Sequence, residues 1–241
     1  MSKTVVNRFS DINSVADSTA AKLIEKLASL LAAKDEVHLV LTGGTVGIAT
    51  LASVWANPSH ADIDFTRVNF WWGDERFVAS DSSDRNQLQA ENALLKNLKL
   101  DNSKVHAFPS ADNGLELPQA AIDFANHVAA VKPHFDVVLL GMGPDGHIAS
   151  LFPGKPLPEK GQWVIAEEDS PKPPPERLSF TYEALNSADE VWFVVAGSDK
   201  QDAVAVAMGD SPDDLPVGRV HGQILTQWFI DSTAGTKVFG C

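Results

Sequence analysis

The sequence predicts an α/β protein: three layers, α/β/α, built on a mostly parallel, Rossmann-like central sheet. Three observations carry that prediction. Helical and strand-like apolar patterns alternate along the chain, the order that covers a parallel sheet on both faces. The strand-like runs are short and almost wholly apolar, as strands buried on both faces are. Several of these runs are followed closely by glycine with charged or hydroxyl residues, and open parallel sheets bind ligands beyond the carboxyl ends of their strands.

Each element has its own signal. Ala16, Ala20, Leu23, Leu27, Leu30 and Leu31 recur at helical spacing, which predicts an amphipathic helix from Asn13 to Ala33. VHLVL (Val37 to Leu41) is a buried strand ended by Gly43-Gly44, and a helix follows from Thr45 to Ala56, closed by Pro58. VNFWW (Val68 to Trp72) is the next strand, with Trp71 and Trp72 read as core, and Arg85 to Leu98 the next helix. Pro118 suits the first turn of a helix that reaches Val131. FDVVLL (Phe135 to Leu140) reads as a central strand. The proline-rich stretch Pro153 to Pro175 resists regular structure except at Trp163 to Ala166. Glu190 to Ala196 is a strand, Asp199 to Met208 a helix, and Leu225 to Ile230 a last strand. No repeat and no linker divides the chain, so residues 1–241 are expected to form one domain.

Composition excludes several classes of function. With 44% hydrophobic and 21% charged residues, the chain can bury a sizeable core. Lys plus Arg is 19 against 32 for Asp plus Glu, a net charge of −13, which argues against nucleic acid and anionic membrane as partners. Apolar runs such as Val191 to Ala196, none longer, fall far short of the roughly 20 residues a membrane span needs. Met1-Ser2-Lys3-Thr4 leads into polar sequence with no secretory signal, and the one cysteine, Cys241, rules out a disulfide framework or a cysteine metal cluster. The expectation is an acidic, cytoplasmic protein, a monomer or weak homo-oligomer.

The strand ends hold the chemistry. Gly43-Gly44-Thr45 opens a helix and can offer free backbone N–H groups to an anion, or serve as an ordinary turn. Gly141 to Gly146 matches G-x-G-x-x-G, but a dinucleotide reading fails: Asp145 sits where a pyrophosphate would approach, Pro144 lacks an N–H, and no long helix fits before Pro153. Asp145-Gly146-His147 instead places a carboxylate beside an imidazole that can take a proton from water near neutral pH. The alternative is a histidine that caps the following short helix. Arg76, Arg177 and Lys200 are candidate anion clamps. Asp74 stands with Arg76 at one strand end and is assigned to substrate binding; an ion pair of Arg76 with Asp74 or Glu75 is the plainer reading. Arg177 follows the stiff Pro173-Pro174-Pro175, and Lys200 opens a helix, where a cation opposes the dipole. The other six histidines read as structural or solvated, and none makes a ligand pair, so no metal and no cofactor is expected. There is no G-x-S-x-G elbow, which disfavours a serine nucleophile. The acidic DSPDD segment, Asp210 to Asp214, reads as a solvated loop.

At GMGPDGHIASLFPG (Gly141 to Gly154) and WWGDERFV (Trp71 to Val78), the sequence resembles the 6-phosphogluconolactonase family. That family is a branch of the group that includes glucosamine-6-phosphate deaminase/isomerase. ERLSFT (Glu176 to Thr181) and AGSDK (Ala196 to Lys200) support the resemblance, which runs from Leu41 to about Asp231. It implies a small phosphosugar lactone as partner, its phosphate held by Gly43, Gly44, Thr45, Arg76, Arg177 and Lys200. It also implies His147 as general base, with Asp145 orienting it. Many members have a proline in the glycine loop (GGSTP), where this chain has GGTVG. Deaminase members carry a glutamate soon after DGH (GHIAFNEP), whereas here no carboxylate follows until Glu159. The resemblance therefore implies hydrolysis of 6-phospho-D-glucono-1,5-lactone to 6-phospho-D-gluconate, the second step of the oxidative pentose phosphate route. An amino-sugar-phosphate isomerase/deaminase and a non-catalytic sugar-phosphate-binding protein are the alternatives.

Overall fold

The computed structural model describes residues 3–239. Met1, Ser2 and Cys241, on which the expectations about a leader and a lone thiol rest, lie outside the described residues. In chain order the elements are β1 (Lys3–Phe9), α1 (Ile12–Ala33), β2 (Val37–Leu41), α2 (Gly44–Ala56), β3 (Val68–Trp72), β4 (Asp74–Arg76) and α3 (Asn86–Ala93). Then follow α4 (Leu117–Val131), β5 (Val137–Leu140), β6 (Val164–Glu167), β7 (Arg177–Phe180), α5 (Tyr182–Leu185), β8 (Glu190–Val195), α6 (Gln201–Ala207), β9 (Leu225–Asp231) and α7 (Thr236–Phe239).

Six strands form one sheet in the order β1-β9-β8-β5-β2-β3, every neighbouring pair parallel. Its inner strands are the apolar runs, buried along nearly their whole length because helices flank the sheet. No helix among the described residues is long and apolar enough to cross a membrane.

The helices follow their patterns. In α1, Val15, Thr19, Leu23, Leu27 and Leu31 fall on one buried stripe, and the Asp11 carboxylate accepts the Ser14 N–H at 2.9 Å to start the helix. Packing of α1 against α2, β8 and β9, and of α4 against β6 and β7, closes the core. Trp71 lies at its centre, ringed by Phe124, Phe135 and Phe180.

Several expectations need correction. β1 (KTVVNRF) carries too many polar residues for an inner strand; it is an edge strand, half exposed, held only by β9. A second sheet, β4-β7-β6, is antiparallel and was not expected. Helix α3 stops at Ala93 rather than Leu98, because Leu94 and Leu95 both turn into the core and the chain passes into a 3₁₀ turn at Leu95–Asn97. Likewise α6 begins at Gln201, after a 3₁₀ turn at Ser198–Lys200.

Candidate active site

The chain leaves β2 through α2 toward β3 on one side, and from β5 it goes on to β8 on the other. The gap between β2 and β5 is therefore a topological switch point, where such sheets open a crevice beyond their carboxyl ends. A cleft of about 470 Å³ lies there. The two loops that flank it are tied together: the Gly141 N–H donates to Thr42 Oγ1 at 3.1 Å.

One wall is the start of α2. Gly43 is its N-cap and supplies no side-chain acceptor, and no acid lies in the first turn. Gly44, Thr45, Val46 and Gly47 all line the cleft, so the free N–H groups and positive dipole end of a 13-residue helix border it. A Cβ on Gly43 would fall 1.9 Å from Asn86 Oδ1, so a larger residue there would have to displace the buried Asn86 amide.

The facing wall is the loop after β5. His147 Nδ1 is 2.5 Å from Asp145 Oδ1, and the imidazole rests on the Phe152 ring with centroids 4.7 Å apart. The Gly143 N–H donates to the His147 carbonyl at 2.8 Å, folding the loop back on itself. A Cβ on Gly143 would lie 2.0 Å from His147 Nδ1, so only glycine leaves room for the pair. Residues after His147 form a tight turn, with Ile148 bridged to Leu151, and the imidazole caps no helix. Burial is the main influence on His147 and holds its pKa below the usual 6.5, with Asp145 pulling the other way. At Asp145, burial works upward, but the hydrogen bond and charge of His147, with Lys172, keep the carboxyl below its ordinary range.

The second sheet forms the floor. Its strands β4 and β7 place Arg76 opposite Arg177 and Asp74 opposite Ser179. Asp74 is buried; its carboxylate accepts from Ser150 Oγ at 2.6 Å and Asn86 Nδ2 at 3.3 Å, and lies 3.9 Å from Arg177 Nη1. Arg177 is tied down by its own neighbours: Nε donates to the Pro174 carbonyl at 2.9 Å, and Nη2 to the carbonyls of Lys172 and Pro173. Arg76 makes no ion pair among the described residues; its Nη1 donates to the Asp84 carbonyl, and Glu75 instead accepts the Asn86 and Gln87 N–H groups at the start of α3. Lys200 reaches the cleft beside Asp199, its Nζ 2.9 Å from Asp199 Oδ2.

The cleft thus brings together Gly43, Gly44, Thr45, Asp74, Arg76, His147, Arg177 and Lys200, with Asp145 behind His147. Among the polar lining residues that the sequence does not single out are Asn86 and Lys172. Asn86 looked like an ordinary helix start. Lys172 was hidden in a proline-rich loop, although a cation set between Pro171 and Pro173 was a usable signal. Away from the cleft, the ligand atoms of His134, Asp136 and Asp189 converge within 4.8 Å of one another. Those groups are already engaged: His134 with Asp189 at 3.1 Å, and Asp136 with Lys34 and the His38 N–H.

This fold and cleft define an α/β protein with a polar crevice beyond its strand ends, lined by the start of α2 and by basic side chains. Residues 10–228 match the family model described as glucosamine-6-phosphate isomerases/6-phosphogluconolactonase, and the chain belongs to that family. A 6-phosphogluconolactonase of Streptomyces coelicolor is 39% identical over 97% of this chain and 94% of its own length. One of Mycobacterium tuberculosis is 38% identical over 95% and 96% respectively. Among solved structures, a 6-phosphogluconolactonase from Thermotoga maritima superposes with a TM-score of 0.83 at 29% identity, covering 95% of this chain and all of that one.

Proposed function

We propose that the chain hydrolyses 6-phospho-D-glucono-1,5-lactone to 6-phospho-D-gluconate, the second step of the oxidative pentose phosphate route. The observation that carries this reading is the Asp145–His147 pair, set across one cleft from the uncapped start of α2. With Nδ1 hydrogen-bonded to Asp145, the imidazole presents Nε2, which has no hydrogen-bond partner among the described residues, as its basic atom.

A lactone is an activated cyclic ester, so a positioned water and a base suffice without a covalent enzyme intermediate. His147 Nε2 takes a proton from water as its oxygen bonds to C1. The bond from C1 to the ring oxygen then breaks, and the imidazolium returns its proton to that oxygen, which becomes the 5-hydroxyl. The phosphate, remote from C1, is held by the α2 N–H groups of Gly44 and Thr45, by Arg76 and Lys200, and by Arg177 through its Nη1 side. Binding energy gathered there positions the carbonyl for attack. The same reading places the protein in the cytoplasm, where a sequence with a single cysteine fits a reducing compartment.

The test uses freshly generated 6-phosphogluconolactone, unphosphorylated gluconolactone and glucosamine 6-phosphate side by side. Rapid acid release from the phosphorylated lactone alone is expected. Ammonia release from glucosamine 6-phosphate with an inert lactone would overturn the reading in favour of a deaminase.

A further inference from the structure

The cleft contains a cation that phosphate binding does not explain. Lys172 Nζ lies 3.2 Å from His147 Nδ1 and 3.5 Å from Asp145 Oδ1, on the side of the imidazole away from the free Nε2. An ammonium has donors only, so it cannot accept from an Nδ1–H. Both the ammonium and Nδ1–H therefore point at one oxygen, Asp145 Oδ1. We propose that Lys172 is a positioning residue for the base: by sharing the Asp145 carboxylate with the imidazole, it keeps His147 neutral and its Nε2 lone pair available for water.

The backbone around Lys172 is built to deliver that charge. Its N–H donates to Ser170 Oγ at 3.2 Å, and Ser170 Oγ donates back to its carbonyl at 2.9 Å. Arg177 Nη2 donates to the same carbonyl at 3.0 Å. Pro171 and Pro173 restrict the chain on either side, and a residue before proline is confined to extended backbone. The lysine stem therefore leaves a fixed point of the backbone. Asp145 is the acid with which Lys172 pairs among the described residues.

The charges facing His147 define what removing Lys172 does. Asp145 contacts Nδ1, Asp74 acts from the β4 side, and Phe152 covers the ring without charge. Arg177 already lies beside Asp74. Lys172 is thus the cation beside the imidazole itself, and it opposes the pull of the two carboxylates, in keeping with the lowered pKa of His147. A unit charge this close moves a neighbour's titration by about one pH unit or more.

The inference rests on His147 being the base, so the experiment reads the imidazole and the reaction separately. The His147 ring is followed by NMR titration in the ligand-free wild type, Lys172→Met and Lys172→Arg, and the acid limb of kcat/KM is recorded for each. In Lys172→Met, the ring titration and the acid limb are both expected to move up by about one pH unit, with Lys172→Arg staying at the wild-type values. A ring titration unmoved in a folded Lys172→Met overturns the proposal, and a change confined to KM would make Lys172 a substrate contact. A shifted ring with an unshifted acid limb would remove His147 as base while leaving its coupling to Lys172 in place.

Discussion

His147 Nδ1 and Asp145 Oδ1 lie 2.5 Å apart, two residues from one another on a loop where Gly143 leaves room for the pair and Gly146, at φ 77°, turns the chain between them. The contact fixes which ring nitrogen carries the proton: a carboxylate can only accept, so Nδ1 donates and Nε2 is left basic. Replacing Asp145 by Asn permits the opposite tautomer, with the side-chain amide donating to Nδ1. Asp145→Asn is therefore expected to lower kcat by about 10²-fold or more, within the range general-base help supplies, and to leave KM nearly unchanged. Steady-state kinetics decides, and an unaltered kcat contradicts the assignment.

The pH dependence has a definite sign. In the proposed mechanism His147 must be neutral to take a proton, and burial holds its pKa below 6.5. Values of kcat/KM should then be level between pH 7 and 8 and fall on acidification below pH 6.5. A rate that still climbs between pH 7 and 8 would point to another base.

Arg177 serves two ends of the cleft. Its guanidinium spans the carbonyls of Lys172, Pro173 and Pro174 and lies 3.9 Å from Asp74. Arg177→Ala is expected to raise KM, through lost charge, and to lower kcat, because Lys172 loses its tether. Losing these part-buried hydrogen bonds from a charged donor costs about 1 kcal/mol or more in all, so thermal unfolding should come a few degrees earlier. An unchanged KM removes Arg177 from substrate binding.

A second histidine governs acid stability rather than catalysis. His106 is buried against Trp71 at 3.9 Å, with Nδ1 2.9 Å from His127 Nε2 and Nε2 3.0 Å from Asn69 Oδ1. Burial, then the neighbouring charges, bring its pKa from 6.5 down to about 4. The unfolded chain takes up this proton first, so stability present at neutral pH is lost as pH falls from 6.5 toward about 4. The loss is up to about 3 kcal/mol by linkage. Urea titrations of His106→Gln should show a smaller drop between pH 7 and pH 4 than wild type, and equal drops would contradict this account.

What the sequence revealed follows from burial. VHLVL, VNFWW and VWFVV read as strands because a covered parallel sheet demands apolar side chains on both faces. DER and RLSF did not, since Asp74, Arg76 and Arg177 face the cleft and break the apolar pattern. The DGH loop was legible because its carboxylate and imidazole are two positions apart. Lys172 was not: its approach to His147 spans 25 residues and depends on the hydrogen bonds of Ser170 and Arg177, which no local pattern encodes.

The most direct test of the central claim is the hydrolysis rate of 6-phosphogluconolactone by wild type beside His147→Ala, with spontaneous hydrolysis subtracted. The account predicts a loss of about 10²–10⁴-fold in kcat for His147→Ala, with the phosphorylated substrate still bound. A variant that turns over at the wild-type rate would contradict it and move the base to another residue of the cleft.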